Sequence, residues 1–178
     1  MTLTTLNPSP TYRFQGLNYH LRVFGCQMNK HDGERVAGML ESLGATETAV
    51  VEQADIVVLL TCCVREAADV RLLGQVASLK NLPEQPIIAV GGCIGQRDGE
   101  KLLEQIPHID VVFGTHNIAR LPHLISASLE DGSKQVEVID DDHSKELSVD
   151  IEAATDLPTQ REFAWHAWVP IMTGCNNF

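Results

Sequence analysis

The chain has 178 residues, 13 Lys and Arg against 24 Asp and Glu, a formal net charge of −11, and 44% apolar residues. That supports one ordinary core with some chain to spare, and no run of about 18 apolar residues offers a membrane span. The acidic balance argues against a nucleic-acid face, since phosphate backbones are held by clustered Lys and Arg and the basic residues here are scattered.

Residues 1–18, with Pro8, Pro10 and Gly16, read as a flexible leader. They lack the basic-then-apolar pattern of a secretory signal. A cytoplasmic protein is therefore expected, in which cysteines serve as ligands, catalysts or core filler more often than as disulfides. "HLRVFG" (20–25) is a strand candidate. In "NKHDGERVAGMLESLG" (29–44), Val36, Met39, Leu40 and Leu43 mark one face of a helix that Gly44 stops. "ATETAVV" (45–51) offers a further strand, and "ADIVVLLT" (54–61) is a continuous apolar run typical of a strand buried on both faces.

"REAADVRLLGQVASLKNL" (65–82) predicts a helix burying Val70, Leu73, Val76 and Ala77. "PIIAVGG" (86–92) predicts a strand, "QRDGEKLLEQI" (96–106) a helix, "DVVFG" (110–114) a strand and "HNIARLPHLISASLE" (116–130) a helix with Thr115 as its N-cap. Such alternation means right-handed crossovers and a doubly wound α/β fold. Its sheet is mainly parallel with helices on both faces, Rossmann- or flavodoxin-like, over residues 19–130. Residues 131–160 carry far more Asp and Glu than Lys and read as an acidic linker. From residue 161 to 178 the chain turns apolar and aromatic, the reading being the opening strand of a second domain with Trp165 and Trp168 in its core.

Five cysteines stand at 26, 62, 63, 93 and 175. Cys26, Cys62 and Cys93 each follow a predicted strand, so a parallel sheet brings all three to its carboxyl edge, where α/β folds place ligands. Helix N-termini face the same edge and favour negative charge. Three thiolates there suit a soft metal or an iron–sulfur cluster, with one iron left open. The same spacing is compatible with ordinary buried thiols. "GGCIGQRDGE" (91–100) is neither GxGxxG nor Walker A, which argues against a dinucleotide or phosphate loop. His31, His108, His116 and His123 read as surface or capping groups, and Arg65 with Glu66 as a helix-start ion pair.

Taken in order, "FGCQMN" (24–29), "TCCVREAA" (61–68), "VGGCIGQRDGE" (90–100) and "FGTHNIARLP" (113–122) closely resemble the amino-terminal domain of the radical S-adenosylmethionine methylthiotransferases. "IMTGCNNF" (171–178) resembles the start of their radical domain. "GCQMN" together with "VREAA" resembles the branch acting on tRNA. The resemblance implies two four-iron (4Fe-4S) clusters in the whole enzyme. One would be held by Cys26, Cys62 and Cys93, the other by a CxxxCxxC motif that begins at Cys175 and binds S-adenosylmethionine. It further implies methylthiolation at C2 of N6-isopentenyladenosine next to the anticodon, with S-adenosylmethionine as methyl donor and radical source. The partners implied are tRNA and an electron-donor protein, the enzyme being monomeric and away from membranes.

Two departures stand out. Leu60 precedes Thr61 and Cys62 where the family has Asn, which removes a polar group expected to line the site. The second motif needs two cysteines after Cys175, and the sequence stops at Phe178, so the chain reads as a fragment inactive alone. Adjacent side chains of an extended segment point to opposite faces, so only one of the pair can aim at the carboxyl edge. The resemblance, in which the ligand follows Thr, implies Cys62 as that ligand and Cys63 as a bystander. The alternatives are a methylthiotransferase acting on a ribosomal protein and a non-catalytic α/β docking domain.

Overall fold

Six strands pair only in parallel: β1 (Asn18–Val23), β2 (Thr46–Glu47), β3 (Ile56–Thr61), β4 (Ile87–Gly92), β5 (Val111–Phe113) and β6 (Gln135–Glu137). Their order across the sheet is β2-β1-β3-β4-β5-β6. The computed structural model describes residues 14–62, 66–138, 157–161 and 163–169. Helices α1 (Gln27–Ser42), α2 (Glu66–Leu79), α3 (Cys93–Asp98), α4 (Glu100–Gln105) and α5 (Leu121–Asp131) fill the crossovers. The doubly wound α/β fold is as the alternation predicts.

Every residue of β3 is buried, and the period of two along a strand divides its side chains between two cores. Val58 and Leu60 join Tyr19, Ala89, Val111 and Phe113 under α1 and α5, against Val36, Leu40 and Ile125. Val57 and Leu59 join Ile88, Val90 and Val112 under the other layer, against Leu72, Val76, Ile94 and Leu102. Burying both faces explains why this strand reads as an unbroken apolar run rather than an alternating one.

Several boundaries differ from the sequence expectation. Phe14 lies in the predicted leader, yet it is buried in the first core and donates its N–H to Leu43 O at 3.0 Å. At the other end the sheet runs on into the predicted linker. β6 is polar and only half-buried, and pairs with β5 from Val111↔Gln135 to Phe113↔Glu137. Leu157 packs against the first core, and Gln160 donates its N–H to Glu34 O at 2.9 Å, so chain beyond the acidic stretch lies along α1. The helix expected over 96–106 is two, α3 and α4, divided at Gly99.

The buried face of α2 is shifted as well. Leu72, Val76 and Leu79 are inside, whereas Leu73 is 49% exposed and Ala77 faces outward. The side chain of Val70 lies outside the described residues. Apolar residues form two adjacent stripes on this helix, and spacing alone fits either. The helix expected over 116–130 starts as a 3₁₀ segment, Thr115–Arg120, before α5. Pro122 sits in the first turn of α5, where its missing N–H costs no intrahelical bond. The residue flanking the 3₁₀ segment is Gly114, with no side-chain cap, so Thr115 is not the N-cap. Residues 163–169 form a bend and turn, not a strand. Trp165 there is 82% exposed, its ring 5.2 Å from that of Phe163, while Trp168 is half-buried with its ring edge-on to His166. Among the described residues no helix is long and apolar enough to cross a membrane.

Candidate metal centre

From β1 the chain moves outward to β2, then returns past β1 to build β3, β4, β5 and β6 on the other side. Crossovers that leave in opposite directions open a crevice above the carboxyl ends of β1 and β3, the switch point at which open α/β sheets bind ligands. The three cysteine-bearing turns lie on adjacent strands around it. Cys26 flanks the first turn of α1 after β1, Cys62 directly follows β3, and Cys93 follows β4 and opens α3. Register sets the strands level there, with Val23 opposite Leu60 and Thr61 opposite Gly92.

Two glycines allow these turns to touch. Gly25 has φ +121°, and a Cβ on it would lie 2.5 Å from Cys62 Cβ. Gly92 has φ +86°, and its Cβ would meet Thr61 O at 2.7 Å and Asn29 Nδ2 at 3.0 Å. Both conformations are open to glycine and strained for other residues. Each glycine immediately precedes a cysteine, so the backbone that presents Cys26 and Cys93 is pressed against the turn that presents Cys62.

Burial grades across the trio: Cys62 is buried, Cys93 half-buried and Cys26 exposed, and none is in a disulfide. Among the described residues, no three His, Cys, Asp or Glu side chains are gathered at metal-binding distance. The turns are in contact, while the thiols do not converge on one point. Cys63, Arg65 and Cys175 lie outside the described residues.

Sequence reasoning missed two polar groups here. Asn29 is 1% exposed and accepts a hydrogen bond from Cys26 Sγ at 3.2 Å through Oδ1, while its buried Nδ2 has no hydrogen-bond partner. Thr61 is fully buried, and its Oγ1 is likewise without one. Buried polar atoms are normally satisfied, so two orphans beside three cysteines mark a place built for something polar or ionic. The one signal in the sequence was an Asn in the first turn of α1, three residues after a cysteine, where a side chain can reach back to the cap. Leu60, by contrast, packs in the core under α1, so position 60 does not present its side chain to the crevice.

The site fits a soft metal group on these grounds: a thiol donor set on three adjacent turns, a backbone cradle that Cβ atoms would fill, and orphaned polar atoms beside it. Three of the candidate histidines are engaged or placed elsewhere. His108 Nε2 lies 3.2 Å from Val76 O, His31 is paired with Asp32 at 3.7 Å, and His116 is exposed. Asp32 on α1 is 7% exposed and lies 3.7 Å from Arg35. Burial pushes its carboxyl up to about 6 even though Arg35 pulls it down, and Arg35 is itself lowered by burial.

A doubly wound α/β domain with three cysteines around its switch point is thus a candidate metal-cluster carrier. The chain belongs to the family described as "Uncharacterized protein family UPF0004", whose model matches residues 18–114. It is also similar to proteins named tRNA-2-methylthio-N(6)-dimethylallyladenosine synthase. The one from Corynebacterium diphtheriae is 44% identical over 166 residues, covering 92% of this chain and 31% of the relative. Those from Corynebacterium urealyticum (41% identical, 98% of this chain and 31% of the relative) and Mycolicibacterium smegmatis (45%, 89% and 30%) are comparable. The chain therefore spans less than a third of the length of these curated relatives.

Proposed function

We propose that this chain is the cluster-carrying domain of a tRNA methylthiotransferase, with Cys26, Cys62 and Cys93 holding a four-iron cluster at the switch point. The observation that carries this reading is the contact of the three cysteine turns on adjacent strands through Gly25 and Gly92. Bound there, a four-iron cluster with only three cysteine ligands supplies an iron with an open position that can take sulfur.

The chain's own residues have definable tasks. Each cysteine gives up its proton to become a ligand. Free N–H groups of the first turn of α1, beside Cys26, offer donors to the negative charge that accumulates. The unbroken apolar packing of β3 below Thr61 keeps water from reaching the sulfurs from beneath. In the full-length enzyme Cys175 would begin the second cluster motif, where S-adenosylmethionine binds. The substrate would be the isopentenylated adenosine of tRNA, with most of the tRNA grip outside this acidic chain. The names of the relatives support the tRNA assignment, and an electron-donor protein would complete the set of partners.

Anaerobic reconstitution with iron and sulfide tests the cluster. The wild type is expected to take up about four irons, and Cys26→Ala, Cys62→Ala and Cys93→Ala each to lose the four-iron spectrum. A wild type that binds none would favour a docking domain. Assay of the full-length enzyme on isopentenylated tRNA and on ribosomal protein separates the substrates, and activity on protein alone would overturn the tRNA reading.

A further inference from the structure

Asn29 combines a buried polar atom that lacks a hydrogen-bond partner with direct contact to a cysteine of the site. It sits in the first turn of α1 with 1% of its surface exposed, between Cys26 Sγ, which donates to its Oδ1 at 3.2 Å, and the backbone of Gly92, immediately before Cys93. A buried amide N–H without a partner is destabilising, and Nδ2 has none. An amide kept for shape or packing alone would be outperformed there by Leu, which has the same branching and no donor to desolvate. Thr61, whose Oγ1 is a second orphan, belongs to the same spot: its backbone O is the nearest atom to a Cβ built on Gly92, and Asn29 Nδ2 is the next.

Ligation changes what Asn29 can do. A cysteine that becomes a metal ligand loses its S–H, so Oδ1 loses the donor it has in Cys26, and a thiolate or sulfide can only accept. The amide can answer with Nδ2–H, directly or after its two ends exchange places. Hydrogen bonds to the sulfurs are among the levers that set the affinity and potential of such clusters.

We propose that Asn29 is a positioning residue for the metal centre, its buried Nδ2–H donating to a sulfur of the cluster held by Cys26, Cys62 and Cys93. This rests on the cluster assignment above and adds a residue that is not a ligand. A sulfur acceptor there gives the buried Nδ2–H the partner that no protein atom supplies.

The test compares wild type, Asn29→Leu and Asn29→Ala in two states. Loaded anaerobically with iron and sulfide, both variants should lose iron to a chelator at 10- to 100-fold lower concentration than wild type, and their clusters should be reduced at lower potential. Unloaded, Asn29→Leu should melt at or above the wild-type temperature, because an unsatisfied donor has been removed. A purely structural role gives the opposite pattern, a lower melting temperature with unchanged potential, and would overturn the proposal. So would equal iron affinity and potential in all three proteins, which leaves the cluster reading standing. Should Leu overpack the site, Asn29→Ala decides by its potential alone. A wild type that takes up no cluster fails the underlying assignment, and the Asn29 proposal with it.

Discussion

The body of β3 and its carboxyl end obey opposite rules, although only a residue or two separates them. From Ile56 to Leu60 every side chain is apolar, buried and matched by neighbours on both faces of the sheet. At Thr61 and Cys62 the same strand meets two positive-φ glycines, two unsatisfied polar groups and the flanking cysteines. One region is optimised for stability. The other keeps local costs that stability alone would remove, and such violations cluster at functional sites.

The sharpest way to break this contrast is Gly92→Ala. The new methyl is disfavoured at φ +86° and would lie 2.7 Å from Thr61 O. A stability loss of about 3 kcal/mol is expected from strain of this kind, measured by denaturant unfolding, together with loss of iron binding. A fully tolerated alanine would mean that the glycine cradle is not needed. Within the apolar region, Leu72→Ala should cost about 2–4 kcal/mol and leave iron uptake intact. Leu73→Ala, on the exposed stripe of the same helix, should change stability by less than about 0.5 kcal/mol. Equal losses at the two positions would show that the buried face of α2 is misassigned.

A smaller effect is expected of Asp32. Its folded carboxyl holds a proton up to about 6, above its ordinary value of 3.8, so the folded chain binds that proton more tightly than the unfolded one. Stability from this group is therefore greatest below pH 3.8 and falls as pH rises to about 6. The substitution Asp32→Asn should flatten that slope and stabilise the protein at neutral pH by about 2 kcal/mol, read from denaturant midpoints at roughly one-unit steps from about pH 4 to about pH 7. A midpoint gap between variant and wild type that does not grow over this range would assign Asp32 a different environment.

The apolar region was the more legible of the two. Continuous runs such as 54–61 mark strands buried on both faces, and their alternation with helical periods led directly to the parallel sheet. β6 was missed because "QVE" has no apolar run; it exists through hydrogen bonds to β5, which local sequence does not encode. The α2 face was misjudged because two apolar stripes lie side by side on it, and only the sheet selects between them. At the carboxyl edge, the positions of Cys26, Cys62 and Cys93 could be read from the strand ends. Asn29 and Thr61 could not, because being unsatisfied is a property of the folded surroundings and no residue type announces it. Position 60 was misplaced for a related reason: the Asn that the family carries there suggested a group lining the site, whereas the pleat turns Leu60 into the core.

The central claim, that Cys26, Cys62 and Cys93 hold one cluster at the switch point, is tested most directly by the adjacent pair Cys62 and Cys63. Iron and sulfide content with the low-temperature electron paramagnetic resonance spectrum should be measured on anaerobically reconstituted Cys62→Ser and Cys63→Ser. Cys63→Ser is expected to retain about four irons and the wild-type spectrum, while Cys62→Ser loses both. Retention in Cys62→Ser with loss in Cys63→Ser would contradict the claim.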